Sequence, residues 1–378
     1  MSRERALVKP VALIMMAGFI ALAGFACVPP QPAELKVGQA CQNGVLNVRF
    51  LAEPFTPGDY RQDPQVDPTA VDPNILADMT AAFNAAPPSF KDQLCSLNGI
   101  FISRHGCTGY DPSTCNLRDD EIADNSWGFR EPDGDKYIGI SLGLWNNNVC
   151  QGSQRFCAPP FQTYHTRLLR ALLDHTARDN LPSIPAGYQL PTNFASPTVS
   201  PNTSAMSVLA TLAHEFGHIY WWHNFVEPPG SEHANPTPAG FCGGSFYPGG
   251  RWEGTLVDVP PYRWVPFGYI EQPGVPYVAQ LAGLLGSSSY GNAAENLHRI
   301  YSSGRWASAL AAYSEDEDFV ETFELYVLVN ANPGLQTLTI NVGNHSDDLL
   351  RNINPNSELG RKLRCFGALP QLQPRPLR

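Results

Sequence analysis

Ser207-Val-Leu-Ala-Thr-Leu-Ala-His-Glu-Phe-Gly-His-Ile-Tyr-Trp221 decides how this chain is read. Leu209, Leu212, Ala213, Phe216 and Tyr220 recur at the spacing of one helix face, so a core helix is expected from about Thr203. On that helix His214 and His218 stand one turn apart, and both imidazoles can reach a single metal ion. Glu215 between them can act on a water that the metal activates. Ala210 and Thr211, one turn before His214, are small and leave room for metal and substrate, and Gly217 lets another backbone approach closely. A plain core helix with hydrogen-bonded histidines accounts less well for three polar residues in an apolar run than a metal site does.

A catalytic zinc site needs a third protein ligand and an open position for water. The extended pattern HExxHxxGxxH is excluded, because Trp221 stands where it requires glycine and Asn224 where it requires histidine. His223 is one position off, and Glu232 and His233 fall in a Pro/Gly-rich stretch with no helical scaffold. The better candidate is Tyr313-Ser-Glu-Asp-Glu-Asp-Phe-Val-Glu-Thr-Phe-Glu-Leu-Tyr-Val-Leu328, acidic at its start and then helical in period. Phe319, Phe323, Tyr326 and Val327 share an apolar face, while Glu317 and Glu321 share another. One carboxylate can bind metal while the other hydrogen-bonds a ligand histidine. Ser314 and Glu317 also form a Ser-x-x-Glu capping box, which would occupy Glu317 and leave Glu321 as the ligand.

The blocks His214-Glu-Phe-Gly-His218 and Glu317-Asp-Phe-Val-Glu-Thr-Phe323 resemble the glutamate-ligand zinc peptidases, the gluzincins. They look most like bacterial lipoproteins in which HEFGH is followed by a helix of the form E-D-F/W-x-E-T-F/W. The resemblance implies His214, His218 and Glu317 as zinc ligands, Glu215 as general base, Glu321 as support for a ligand, and a peptide or protein as substrate. It covers two short blocks, and the interval between them is longer than in the best-known gluzincins.

Arg3, Arg5 and Lys9 precede the apolar run Val11 to Ala26, which ends in Gly24-Phe-Ala-Cys27. Residues 1–26 read as an export signal and Cys27 as a lipidation site, although Gly24 stands where leucine is usual. Ordinary cleaved secretion and an uncleaved anchor are the alternatives. The expected location is the bacterial cell envelope, held to a membrane through Cys27, or otherwise periplasmic or secreted. Setting Cys27 aside leaves Cys41, Cys95, Cys107, Cys115, Cys150, Cys157, Cys242 and Cys365. With no CxxC spacing among them, disulfides are favoured over zinc, and Cys107 with Cys115 and Cys150 with Cys157 are plausible local pairs.

Residues 27–74, rich in proline and aspartate, read as a tether and irregular lead-in. Residues 75–378 read as one zincin-like catalytic domain, sheet-rich over 75–160 and helical and metal-binding over 161–378. Gly99-Ile-Phe-Ile-Ser103 reads as a strand, and the runs 127–131 and 137–145 read as a hairpin around Pro132-Asp-Gly-Asp135. The hairpin's second strand is either the sheet edge beside the cleft or an interior strand. Residues 163–178 are helical in period, 191–201 read as a loop, 228–276 as a long loop over the cleft, and 358–365 as a last short helix.

The expected fold class is α+β: a zincin-like metallopeptidase with a small antiparallel or mixed sheet, an active-site HExxH helix, disulfides and long loops. A net charge of −10 with no basic stripe outside the signal argues against nucleic acid as a partner. The expected function is zinc-dependent peptide-bond hydrolysis, with Zn2+ as cofactor. The rivals are a non-catalytic zinc-binding lipoprotein and a zinc hydrolase of a non-peptide cell-wall amide.

Overall fold

Asn43-Gly44 is a two-residue turn signal, and in the computed structural model both residues take positive φ, 53° and 75°. They close a small antiparallel ribbon between Cys41–Gln42 (β1) and Val45–Leu46 (β2). The structure describes residues 40–56, 63–117, 122, 126–130, 134–146, 150, 152, 155–169, 195–225, 253–254, 262–263, 297–298, 300–312, 315–331, 337–342, 344–354 and 356–367.

A five-stranded mixed sheet follows the ribbon. Val48–Leu51 (β3) pairs antiparallel with Val66–Asp67 (β4) and parallel with Gly99–Ser103 (β5). Trp127–Arg130 (β6) pairs antiparallel with Lys136–Ser141 (β7), which lies parallel to β5, so the order is β4-β3-β5-β7-β6. Every residue of β5 and β7 is buried, as strands covered on both faces require. Ile100, Ile102, Ile138 and Ile140 join the main core, while Phe101, Trp127, Phe129 and Tyr137 pack with Leu51 and Phe55 in a second cluster. Each such buried side chain contributes roughly 1.5–3 kcal/mol.

Three helices contribute to the main core together with that face of the sheet. Pro73–Ala85 (α1) begins with Asp72 accepting from the Asn74 N–H at 2.8 Å and with proline at its first position, both start signals. Asp78 on α1 is buried and accepts from Trp145 Nε1 at 3.0 Å and the Ala158 N–H at 2.7 Å. Pro88–Cys95 (α2) follows directly. Ser204–Phe225 (α3) starts at Thr203, whose Oγ1 accepts from the Met206 N–H, and its first turn is tied down by Ser204 donating to the Ala158 carbonyl at 2.6 Å. This is the helix expected from the apolar run, and Leu209, Leu212, Ala213 and Phe216 on it are fully buried.

Ala195–Ser200 (β8) forms a second sheet. Glu253–Gly254 (β9) and Tyr262–Arg263 (β10) make an isolated two-residue ladder. Thr337–Val342 (β11) lies between β8 and His345–Asp348 (β12), antiparallel to both. Glu315–Asn330 (α4) packs along α3, the short Leu349–Asn352 (α5) follows β12, and Glu358–Gly367 (α6) packs on α4. A methyl group at Gly217 would lie 3.1 Å from Val320 Cα, so α3 and α4 approach each other closely at this glycine, as its sequence position allowed. Tyr220 stacks on Phe319 and Phe323 at 5.7 and 6.0 Å, and Phe366 of α6 closes the cluster from the other side.

The fold is thus mixed α and β with small sheets, and it corrects two expectations. The lead-in read as irregular supplies strands from residue 41 on; Phe50 and Leu51 are fully buried, but runs of two to four residues are too short to show periodicity. The loop read over 191–201 contains β8, which tolerates Pro197 because it is an edge strand among the described residues. Of the two alternatives left open for the hairpin's second strand, β7, the interior one holds, and its first strand, β6, is the edge among the described residues. Thr211, read as leaving room beside His214, is itself buried, with its hydroxyl 2.9 Å from the Tyr164 hydroxyl.

Cys41–Cys95, Cys107–Cys115 and Cys150–Cys157 stand at disulfide distance, including both local pairs read from the sequence. Cys365 is also disulfide-bonded. Residues 1–39, with the stretch read as an export signal and Cys27, lie outside the described residues, as do Cys242 and most of 228–276. No helix among the described residues is long and apolar enough to cross a membrane.

The edge strand and the HExxH helix meet at Gly128. A methyl group there would lie 1.8 Å from the Glu215 carbonyl oxygen, a backbone atom that cannot step aside. Gly128→Ala is expected to lower stability by about 1–3 kcal/mol or more, as overpacking does. Denaturant unfolding of the two proteins checks this, and equal midpoints would show that β6 and α3 are free to separate.

Candidate metal centre

Three side chains from two helices converge. His214 and His218, one turn apart on α3, bring their Nε2 atoms to 3.3 Å. Glu317, in the first turn of α4, holds Oε2 at 3.8 Å from His214 Nε2 and Oε1 at 3.7 Å from His218 Nε2. Zinc–ligand bonds of about 2.0–2.1 Å in a tetrahedron separate donor atoms by about 3.3–3.4 Å, so the set is within about half an ångström of a zinc cage. Two neutral imidazoles and a carboxylate are also the donor chemistry such an ion takes. The histidine side chains keep 17% and 19% of their surface exposed, which leaves the centre reachable from solvent.

The far nitrogen of His214 is held as well. Its Nδ1 lies 2.7 Å from Glu321 Oε1 and 3.7 Å from Glu324 Oε2. His214, Glu321 and Glu324 form a second cation-sized grouping, but a hydrogen bond at Nδ1 is what leaves Nε2 free to ligate, so these carboxylates suit support. Ser308 hydrogen-bonds Glu321 in turn, and the buried His165 is in electrostatic reach of it.

Glu215 is almost fully buried and accepts from the Gly128 N–H. Burial pushes its pKa up to about 7, partly offset by the charge on His214. Burial also pushes Glu317 well above the usual carboxylate range and lowers His218 to about 3, with His214 adding to the second shift. His214 goes the other way: burial opposes its charge, but the Glu321 and Glu324 carboxylates outweigh that and hold its pKa well above the ordinary value. Without an ion, the buried acids and His214 therefore share protons. A divalent cation among them replaces those protons, ionising the carboxylate and neutralising the imidazoles.

Glu317 thus has an oxygen toward each histidine, and Glu321 holds His214 Nδ1 while itself accepting from Ser308; Ser314, the other half of the capping box read from the sequence, lies outside the described residues. The side chain of His223, together with Glu232 and His233, lies outside the described residues. Sequence reasoning missed Glu324, His165, Tyr164 and Ser308. The spacing 317, 321, 324 on one helix face was a usable signal for Glu324. Nothing local marked the other three, which the fold brings in from the 161–169 helix and from just before α4. No protein-family model matches the chain, and neither a curated protein nor a solved structure matches it.

Proposed function

We propose that the chain is a zinc-dependent metallopeptidase of the gluzincin type, acting on peptides or proteins at the bacterial cell envelope. The observation that carries this reading is the convergence of His214 Nε2, His218 Nε2 and the Glu317 carboxylate at mutual distances of 3.3–3.8 Å, beside the buried Glu215. A zinc ion held by these three residues would supply Lewis acidity, lowering the pKa of a water to about 7 and polarising the scissile carbonyl.

The protein's own groups do the rest. Glu215 takes the proton from the attacking water and returns it to the leaving amine nitrogen. Its raised pKa, about 7, suits a group that must both accept and give a proton near neutrality. The Gly128 N–H holds that carboxylate, and Glu321 fixes the tautomer of His214. The mixed sheet with an antiparallel edge strand against the HExxH helix fits the zincin plan, in which an extended substrate adds along the edge. Export through residues 1–26 and a lipid on Cys27 complete the reading.

The test is metal analysis of the purified full chain combined with digestion of a broad peptide library. One equivalent of zinc and cleavage abolished by a chelator are expected, with activity restored by added zinc. Zinc without cleavage would favour a binding lipoprotein or a hydrolase of another amide, and absence of metal would overturn the reading.

A further inference from the structure

α3 and α4 meet largely through rings, Phe319 and Phe323 of α4 against Tyr220 and Trp221 of α3, with Phe366 of α6 packed on the same phenylalanines; apolar burial is nondirectional, and the preferred geometry of a ring pair adds only weak resistance to rotation. A carboxylate about 5–6 Å from its helix axis moves by about 2 Å for a rotation of about 20°. That is one zinc–oxygen bond length, about 2.0–2.2 Å, so a metal centre built across this interface needs a directional pin.

A buried ion pair stands at the required place. Lys362 of α6 and Asp318 of α4 have side chains with 0% exposure. The ammonium donates to Asp318 Oδ2 at 2.6 Å, to Asp318 Oδ1 at 2.9 Å and to the Arg305 carbonyl at 3.2 Å, which commits all three of its N–H groups. Thr322 Oγ1 lies 3.4 Å from Asp318 Oδ1, the Trp306 ring lies 4.7 Å from Nζ, and Glu358 pairs with Arg305 at 3.0 Å. Both charges are therefore tied to several elements. Asp318 directly follows Glu317, and successive helical residues point about 100° apart. Fixing the direction of Asp318 toward α6 fixes that of Glu317 toward α3.

We infer that Lys362 is a positioning residue for the metal centre: by gripping Asp318 it sets the rotation of α4 that aims Glu317 between His214 and His218. The inference rests on the metal reading above. Apolar residues in place of the pair would pack as well or better, since buried ion pairs add little net stability, but they would not specify rotation. The C-terminal helix, remote in sequence from the HExxH run, thereby becomes part of what makes the site bind metal.

The test uses the full disulfide-bonded chain, the single variant Lys362→Met, and the double variant Asp318→Leu/Lys362→Met. Three quantities are read: the unfolding midpoint of metal-free protein, zinc affinity by chelator competition, and the visible absorption of cobalt-loaded protein. The single variant is expected to lose stability, because it strands a buried carboxylate. The double variant should recover the midpoint and still bind zinc about 10- to 100-fold more weakly, as loss of outer support does. Its cobalt band should be altered, and on a Glu317→Ala background the double replacement should cost no further affinity, because it acts through that residue.

A double variant with unchanged zinc affinity and cobalt band would reduce the pair to packing and overturn the inference alone. Absence of zinc and cobalt binding in the unaltered chain would overturn both the inference and the metal reading.

Discussion

Glu215→Gln is expected to bind zinc as tightly as the unaltered chain and to cleave peptides about 10²- to 10⁴-fold more slowly, the range that a general base contributes. The two halves of this expectation have separate origins. Zinc is expected to be retained because the proposed donors are His214, His218 and Glu317, and glutamine matches glutamate in shape at a position buried to 5% exposure. Its side-chain oxygen still accepts from the Gly128 N–H, so α3 and the edge strand stay together. Hydrolysis is lost because an amide cannot take a proton from water. The metal-free variant should also be no less stable, since the change removes a carboxyl that burial already holds near a pKa of about 7. Metal content, unfolding midpoint and peptide cleavage, measured on one preparation, check all three. Normal cleavage by a zinc-loaded variant would sink the mechanism, and loss of zinc would show that Glu215 belongs to the donor set.

The site was legible in the sequence where chemistry is local. His214, Glu215, His218 and Gly217 share one helix, so spacing alone gave the common face of the two histidines and allowed a close backbone approach at Gly217, which α4 makes. Glu317 and Glu321 were legible as a pair one turn apart, but spacing cannot say which of two carboxylates meets which nitrogen. That depends on how α4 is rotated about its axis, and rotation is a tertiary property set by packing and by Asp318. The sheet divides in the same way. β5 and the hairpin could be read from apolar runs and turn residues, whereas β3, of four residues, is recognisable only once β5 lies beside it. Pro197 made β8 read as a loop, since proline removes a ladder donor, and the strand survives because that side is an edge among the described residues. Thr211 was judged by its size, yet its place was decided by Tyr164, 47 residues away in the chain.

Glu317→Gln and Glu321→Gln, compared side by side, are expected to lower zinc affinity by very different amounts, which separates ligand from support. Glu317 is 3.8 and 3.7 Å from the Nε2 atoms of both histidines, so exchanging its carboxylate for an amide removes an anionic donor from the cage itself. Glu321 is 2.7 Å from Nδ1 of His214, the nitrogen that faces away from the three-residue cluster, and a glutamine there keeps an oxygen that can accept the same hydrogen bond. Its replacement should cost at most the 10- to 100-fold typical of outer partners, and Glu317→Gln should cost more than that. Stability moves the opposite way. The metal-free chain buries Glu317 beside Asp316, Glu321 and Glu215, and burial with these like charges pushes its pKa up. A neutral amide of the same shape relieves that cost, so metal-free Glu317→Gln should unfold at a higher denaturant midpoint than the unaltered chain. Glu321 offers no such relief: its carboxylate is held ionised by the His214 hydrogen bond, and neutralising it weakens that bond. Chelator competition and denaturant unfolding of both variants read the two quantities. If Glu321→Gln loses more zinc than Glu317→Gln, the ligand is Glu321 and the first carboxylate serves the helix start instead. If Glu317→Gln gains stability while losing metal, this carboxylate is kept at a cost to the fold for the sake of the ion.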